Sequence, residues 1–164
     1  MIYYIADNHF GHKNVIRFDN RPFADTVLMD EVLVHNWNER VTEDDTVYIL
    51  GDCFWKNEEN SVKLIQRLKG HKHLIRGNHD RVHGRLRFYY ESIEHYAEIN
   101  DNDRLVILCH YPIPFYKNQH YGAVMLYGHV HNTREQDFIE KWKRELWESE
   151  IPCNMINVGC MMEY

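Results

Sequence analysis

The 164 residues, 44% hydrophobic and 27% charged, have the size and composition of one folded domain and exclude a disordered or fibrous chain. The net charge of -6 argues against nonspecific nucleic-acid binding, which needs a basic surface, although it leaves room for a local basic pocket. No apolar run approaches the ~20 residues of a membrane span, no basic leader is present, and the four cysteines form no C-x-x-C pair, so we expect a single cytoplasmic domain over residues 1–164.

The first half of the chain alternates strands with helices. Short apolar runs predict three strands, at residues 2–6, 46–50 and 73–76. Asp25 is expected to cap the helix between the first two strands. Asn60 or Ser61 is expected to open the next helix, which should end at Gly70. This alternation predicts an α/β fold, and the nearly continuous apolar character of the runs indicates strands covered on both faces.

The second half departs from this alternation. Residues 92–99 alternate apolar and polar side chains and precede a turn-rich stretch, which predicts an antiparallel hairpin with the following run. Further strands are predicted at residues 104–109, 123–127 and 155–158. Between the last two strands, residues 134–150 predict an amphipathic helix with Phe138, Trp142 and Leu146 at helical spacing and Ile139 alongside, as a stripe that covers the sheet.

A possible metal ligand follows each of the five clearest strands. In chain order these ligands are Asp7 and His9, Asp52, Asn78, His110, and His129 with His131. If the strands are parallel neighbours, their carboxyl ends meet and the side chains converge. Carboxylate, amide and imidazole ligands together suit borderline divalent ions. Seven ligands exceed what one ion needs, whereas two ions that share a bridging carboxylate would use them all.

The same residues lie in five ordered motifs. The motifs read ADNH, LGDC, RGNHD, LCHYP and YGHVH, and their ligands extend from residue 7 to residue 131. They resemble the calcineurin-like metallophosphoesterase superfamily, whose motifs run D-x-H, G-D, G-N-H-[DE], H and G-H-x-H in this order. The resemblance implies a four-layer α/β/β/α sandwich of two mixed sheets.

The resemblance also implies how two ions would be held. One ion would take Asp7, His9, Asp52 and His131, and the other would take Asp52, Asn78, His110 and His129. Asp52 would then be the bridging carboxylate. Manganese is the favoured ion, and iron, zinc and nickel also suit the ligand set.

The implied activity is that of a metal-dependent phosphoric ester hydrolase. In-line attack by a metal-bridging hydroxide would cleave the ester, with Asp52 as the shared ligand and His79 as the general acid. The alternative role for His79 is to position phosphate. In the protein-phosphatase branch of the superfamily a second aspartate orients this histidine, but here Trp55 takes its place. A phosphoprotein substrate is therefore disfavoured.

The sequence indicates the substrate less clearly than it indicates the metal ligands. We expect a small soluble phosphoester, a nucleotide being one candidate, and favour a diester because no large substrate-binding domain follows the core. His12, Arg17 and Arg21 are candidate substrate-binding residues, and the alternative is that they are solvated or that an arginine pairs with Asp19 or Asp25.

Other functions are compatible with the same motifs. A phosphomonoesterase or a nuclease would use the same site, and the acidic balance of the chain disfavours the nuclease. A non-catalytic metal-binding scaffold is also known in the superfamily, but the retromer scaffold subunit lacks the histidine of G-N-H, which is present here as His79. Metal storage would explain the ligands without explaining His79. The natural substrate and the oligomeric state stay open.

Overall fold

The computed structural model describes residues 1–162, which contain eight strands. They are β1 (Ile2–Ile5), β2 (Thr46–Ile49), β3 (His71–Ile75), β4 (Ser92–Glu94), β5 (Tyr96–Asp101), β6 (Arg104–Cys109), β7 (Val124–Tyr127) and β8 (Met155–Asn157). The strands form two four-stranded sheets, ordered β1-β2-β3-β4 and β5-β6-β7-β8. Every strand predicted from an apolar run is confirmed, with ends that differ by no more than two residues.

The helices are α1 (Lys13–Phe18), α2 (Thr26–Arg40), α3 (Glu58–Ile65) and α4 (Arg134–Glu148). The predicted cap of α2 is confirmed, since the Asp25 side chain accepts a hydrogen bond from the backbone N–H of Leu28 at 2.9 Å. The predicted start of α3 at Asn60 or Ser61 is wrong. Asn57 caps this helix instead, because it offers the same side-chain oxygen and is followed by two glutamates that the helix N-terminus favours. No helix within residues 1–162 is both long and apolar enough to cross a membrane.

The two sheets differ in strand direction. All pairings in the first sheet are parallel, whereas in the second sheet β5 is antiparallel to β6 and the remaining pairings are parallel. The prediction of two mixed sheets is therefore wrong for the first sheet and confirmed for the second. The predicted hairpin is therefore confirmed for β5 and β6 only. Residues 92–94 pair with β3 in the other sheet, because alternation along a strand specifies its faces but not which neighbouring strand completes its hydrogen bonds.

Three apolar clusters separate four layers, so the predicted α/β/β/α sandwich is confirmed. The first cluster joins the first sheet to α2 and α3 and includes Val34, Trp37, Ile49, Ile65 and Leu74. The second lies between the sheets and includes Ala6, Leu50, Ile75, Leu108 and Leu126. The third joins the second sheet to α4 and includes Ile107, Met125, Ile139 and Leu146. Each sheet is thus covered on both faces, which explains its nearly continuous apolar strands.

The apolar stripe of α4 differs from the predicted one. Leu146 is buried and Trp142 is partly buried, as expected, but Phe138 is 66% exposed and Ile139 is buried in its place. A helical period of 3.6 residues places positions 139, 142 and 146 on one face and leaves position 138 on its flank. The sequence predicts the helix but not its rotation about its own axis.

The layer between the sheets provides a test of the fold. Leu108 is 0% exposed there, so Leu108→Ala should lower the free energy of unfolding by about 2–5 kcal/mol through lost burial and the cavity left behind. Urea denaturation at constant pH would measure the change. Val27→Ala on the exposed face of α2 is the matched control and should change stability by less than about 0.5 kcal/mol. Equal effects of the two variants would contradict the assigned layer.

Candidate metal centre

The seven candidate ligands lie at the carboxyl ends of strands from both sheets. Those from the first sheet follow β1, β2 and β3, and those from the second follow β6 and β7. Within each sheet these strands run parallel, so their ends lie at one edge. A direct contact joins the two sheets at this edge, because the Asp7 carboxylate accepts a hydrogen bond from the backbone N–H of His129 at 2.9 Å. The sandwich therefore brings together side chains that are up to 124 positions apart in the sequence.

One group of ligand atoms comes from Asp7, His9 and His131. Their ligand atoms all lie within 4.8 Å of one another. The two Nε2 atoms of His9 and His131 are 3.2 Å apart, and His131 Nε2 lies 3.7 Å from Asp7 Oδ1. Two imidazoles and a carboxylate that face one point in this way are suited to hold a divalent cation.

A second group lies around Asp52 and His110. Asp52 Oδ2 is 3.6 Å from His110 Nε2 and 3.8 Å from His9 Nε2, so this carboxylate lies between the two groups. Asn78 Oδ1 is 3.1 Å from His110 Nε2. The ligand atoms of Asp7, Asp52 and His110 also lie within 4.8 Å of one another. This is the arrangement that a carboxylate bridging two ions requires.

His129 has a less direct relation to these groups. Its ring centroid is 5.1 Å from that of His110 and 4.7 Å from that of Tyr111, and the side chain lines the cleft above the centre. Among the acidic, cysteine and histidine side chains of residues 1–162, His129 belongs to neither group of mutually close ligand atoms. Its predicted role as a ligand stays a prediction.

The charges of the centre fit a bound cation. Asp7 and Asp52 are each only 2% exposed, and Asp7 Oδ1 is buried without a hydrogen-bond partner among the described residues. Burial raises the pKa of Asp7 to about 6, and Asp52 adds to this while His131 and His110 oppose it. Burial, with the nearby His131 and Arg21, lowers the pKa of His9 to about 2, so its imidazole is neutral as a metal ligand must be.

Two imidazoles are oriented by acceptors behind them. His110 Nδ1 donates a hydrogen bond to the backbone carbonyl of Leu50 at 2.8 Å, which directs Nε2 at Asp52. His131 Nδ1 lies 2.8 Å from both carboxylate oxygens of Asp19. Such acceptors fix the tautomer and ring orientation of metal-binding histidines.

Arg21 lies behind the centre and not in the substrate cleft. Its guanidinium donates to the Asp19 carboxylate at 2.9 and 3.0 Å, and to the backbone carbonyls of Asp7 and Asn8 at 2.9 Å each. The side chain is buried, and its charge is satisfied by these acceptors. The prediction that Arg21 binds substrate is therefore wrong, and the alternative of a structural pair with Asp19 is confirmed. The reason is that the loop after α1 folds back beneath the ligands.

The backbone is strained at most of the ligands. Five of them have positive φ, with values of 56° at Asp7, 51° at His9, 53° at Asp52, 71° at His129 and 49° at His131. This left-handed region is uncommon for residues other than glycine and costs of order 1–3 kcal/mol at each position. Strain of this kind collects where surrounding structure fixes a functional geometry. Sequence motifs indicate the ligands but not their backbone conformation.

Two of the motif glycines are required for different reasons. Gly51 has φ of +86°, and a Cβ there would also lie 2.3 Å from His110 Nδ1. Gly77 has no positive φ, but a Cβ would lie 2.3 Å from Asp52 Oδ1. The first glycine permits the turn at the end of β2, whereas the second provides space for the Asp52 carboxylate.

Asp80 has a structural role that was not predicted from the sequence. This buried carboxylate accepts hydrogen bonds from the backbone N–H groups of Gly77, Asp52 and Cys53 at 2.8, 2.9 and 3.0 Å. It therefore joins the loop after β2 to the loop after β3 and holds Asp52 in position. Its place at the end of the RGNHD motif was the available signal, since the motif admits only an acidic residue there.

His79 faces the cleft above the centre, a space of about 410 Å³. Its side chain is 42% exposed, its Nε2 lies 4.0 Å from Asp52 Oδ2, and its backbone N–H donates to Asp52 Oδ1 at 2.9 Å. Trp55 packs against it edge to face, with ring centroids 4.7 Å apart. The indole of Trp55 thus provides the wall against which His79 packs.

The other two proposed substrate residues differ in position. His12 lines the cleft and stacks on Trp55, with ring centroids 4.0 Å apart. Arg17 is exposed on α1, and its guanidinium lies 5.3 Å from the centre of the Phe18 ring. Phe18 itself lines the cleft, whereas Arg17 contributes no lining. The structure brings His12 to the centre and leaves Arg17 at its rim.

The support of His131 by Asp19 gives a testable expectation. Asp19→Asn replaces the charged acceptor of His131 Nδ1, so Mn²⁺ affinity should fall by about 10- to 100-fold. Isothermal titration calorimetry on metal-stripped protein would measure it, with far-UV circular dichroism to confirm folding. Asp44→Asn removes the same charge at an exposed position and should leave the affinity unchanged. Indistinguishable affinities for the two variants would rule out this role of Asp19.

Comparison of the whole chain with known proteins finds relatives whose functions are uncharacterised. No family model matches the sequence. The protein of unknown function AQ665 from Aquifex aeolicus has the same fold, with a TM-score of 0.72 and 26% identity over 97% of this chain and 89% of that one. The Pseudomonas putida nuclease MPE overlaps with a TM-score of 0.48 at 22% identity, over 78% of this chain and 60% of the nuclease, which is too low to carry an argument about function.

A sequence relative gives the family. The uncharacterized protein MJ1445 of Methanocaldococcus jannaschii is 35% identical over 139 residues, which cover 84% of this chain and 73% of that protein. This identity over most of both chains is high enough to establish a shared family. The chain, with its acidic and histidine side chains gathered at one edge of a two-sheet sandwich, belongs to the family of MJ1445.

Proposed function

We propose that this protein is a dinuclear metal-dependent phosphoesterase of the calcineurin-like superfamily that acts on phosphodiesters. The observation that carries the proposal is the position of Asp52, whose Oδ2 lies within 3.8 Å of imidazole nitrogens from both ligand groups. A single buried carboxylate placed between two sets of imidazoles is suited to bridge two cations. The five ordered motifs support the same assignment.

The donor set supports divalent ions of borderline character. Carboxylates from Asp7 and Asp52, imidazoles from His9, His110 and His131, and the amide of Asn78 suit manganese, iron, zinc or nickel, and we propose manganese. When bound, two such cations supply Lewis-acid activation of water and of the phosphoryl group. The protein contributes the fixed geometry of these donors, through the acceptors behind His110 and His131.

His79 is proposed as the general acid. It is the histidine near Asp52 that is both substantially exposed to the cleft and outside the two ligand groups. Its proton would neutralise the leaving oxygen as the ester bond breaks. Trp55 restricts the ring on one side, so His79 can be held toward substrate without a carboxylate partner of its own. This exposure toward the cleft also favours an enzyme over a binding scaffold.

Hydrolysis of chromogenic esters tests the proposal. Metal-stripped protein reloaded with Mn²⁺ should hydrolyse bis(p-nitrophenyl) phosphate faster than p-nitrophenyl phosphate, and Asp52→Asn should abolish both activities. Release of p-nitrophenolate, followed by its absorbance, would be the readout. Failure of both esters with manganese, nickel, zinc and iron, in protein shown to bind the ions, would contradict the enzymatic assignment.

A second experiment isolates the role of His79. His79→Ala should lower kcat by about 10²- to 10⁴-fold with Mn²⁺ stoichiometry unchanged, because the side chain is a proton donor and not a ligand. The loss should be larger for a dinucleoside monophosphate than for bis(p-nitrophenyl) phosphate, since an alkoxide needs the proton more than p-nitrophenolate does. Equal losses on the two esters would indicate that His79 only positions phosphate.

A further inference from the structure

A second cavity of about 410 Å³ adjoins the cleft above the centre. The two spaces share Trp55 and His79 as a common wall, so His79 borders both. Beyond this wall the second cavity is lined by Lys56, Arg81 and His83. It is also lined by Glu58, whose carboxylate accepts a hydrogen bond from the backbone N–H of Arg85 at 2.6 Å. Among the seven candidate ligands, only Asn78 also borders this cavity, and the activity proposed above gives the cavity itself no role.

The segment that borders this cavity is basic in an otherwise acidic chain. Residues 76–87 contain four arginines and one aspartate, a net formal charge of +3, whereas the whole chain carries -6. The single aspartate, Asp80, is buried and bound to backbone N–H groups, so it does not neutralise the surface. The basic character is therefore concentrated beside the cleft and is hidden in the total charge.

Two of these arginines are free to bind an anion. Arg81 and Arg87 are exposed and form no ion pair with a carboxylate of residues 1–162, whereas Arg85 lies 4.0 Å from Glu58. Lys56 is paired with Asp30 at 3.1 Å. The unpaired charge thus begins at the cavity with Arg81 and continues along the surface to Arg87. Several cations in a row match a ligand with repeated phosphates better than a single phosphate.

We propose that this cavity and the basic segment that follows it bind the leaving-group side of a single-stranded oligonucleotide. The inference rests on the proposed phosphodiesterase activity. Water would attack the phosphorus, the bond to the leaving oxygen would break, and His79 would transfer a proton to that oxygen, giving a phosphate monoester and an alcohol. The leaving oxygen must then lie beside His79, and the chain attached to it continues into the second cavity.

The aromatic wall supports the same substrate class. Trp55 is partly exposed between the two cavities, and an exposed indole next to cations is the combination that binds single strands without sequence preference. A nucleotide base stacked there would leave its phosphates to the cations of the basic segment. The inferred substrate is therefore a chain of phosphodiesters, which is larger than the small phosphoester expected from the sequence.

Binding of a hydrolysis-resistant probe tests this inference. We would measure fluorescence anisotropy of a fluorescein-labelled, phosphorothioate-linked oligothymidylate with the Mn²⁺-loaded protein over a range of salt concentrations. The test variant is Arg81→Gln with Arg87→Gln. The control variant, Arg40→Gln with Arg144→Gln, removes the same charge from exposed helix positions in the outer layers.

At low salt, the Kd of the test variant should rise at least about tenfold. The slope of log Kd against log salt concentration should fall by about 1.4, because two phosphate contacts are lost at ~0.7 each. The control variant should bind as the wild type does. In turnover of the unmodified oligonucleotide, the test variant should lose kcat/KM relative to bis(p-nitrophenyl) phosphate. Equal affinity of the test and control variants would overturn the inference.

The two proposals fail in different ways. A wild-type protein that hydrolyses bis(p-nitrophenyl) phosphate but does not bind the oligothymidylate would overturn the oligonucleotide inference and leave the phosphodiesterase intact. A protein that binds the oligothymidylate through Arg81 and Arg87 but hydrolyses no ester would support the binding surface and contradict the enzymatic role. Folding of each variant would be checked by thermal unfolding.

Discussion

Two carboxylates buried at the seam between the sheets are the constraint on which the structure depends. A buried charge without compensation costs several kcal/mol, and Asp7 and Asp52 are both almost inaccessible. The backbone N–H of His129 binds Asp7 across the seam, and the backbone N–H of His79 binds Asp52. These bonds satisfy one oxygen of each carboxylate. The others point at imidazole nitrogens, which is where a cation would complete the compensation.

The surrounding structure holds this arrangement against strain. Ligand residues in left-handed conformations would relax if the loops were free, but Asp80 ties two of the loops together and Arg21 binds the carbonyls of a third. The same arginine holds Asp19, which in turn orients His131. Residues that contribute no ligand atom therefore hold the ligands in place. A preorganised site of this kind is what positioning of a phosphoryl group requires.

The net charge of the chain is negative, but a segment next to the cleft is positively charged. A net charge of -6 argues against binding of a polyanion, and yet the residues next to the cleft include a basic stretch whose one acidic side chain is buried. The local field at a cleft, and not the total charge, governs which anions are attracted to it.

The sequence by itself determined the strands, the order of the motifs and the chemical types of the ligands, because apolar runs and short motifs are local properties of the chain. It also predicted the four-layer sandwich through its family resemblance. Only the tertiary structure decided that β4 and β5 belong to different sheets, that Arg21 lies beneath the ligands, and that Asp19 and Asp80 support them. Those outcomes depend on contacts between residues distant in sequence, and no local pattern specifies which partner a strand edge or a buried charge will find.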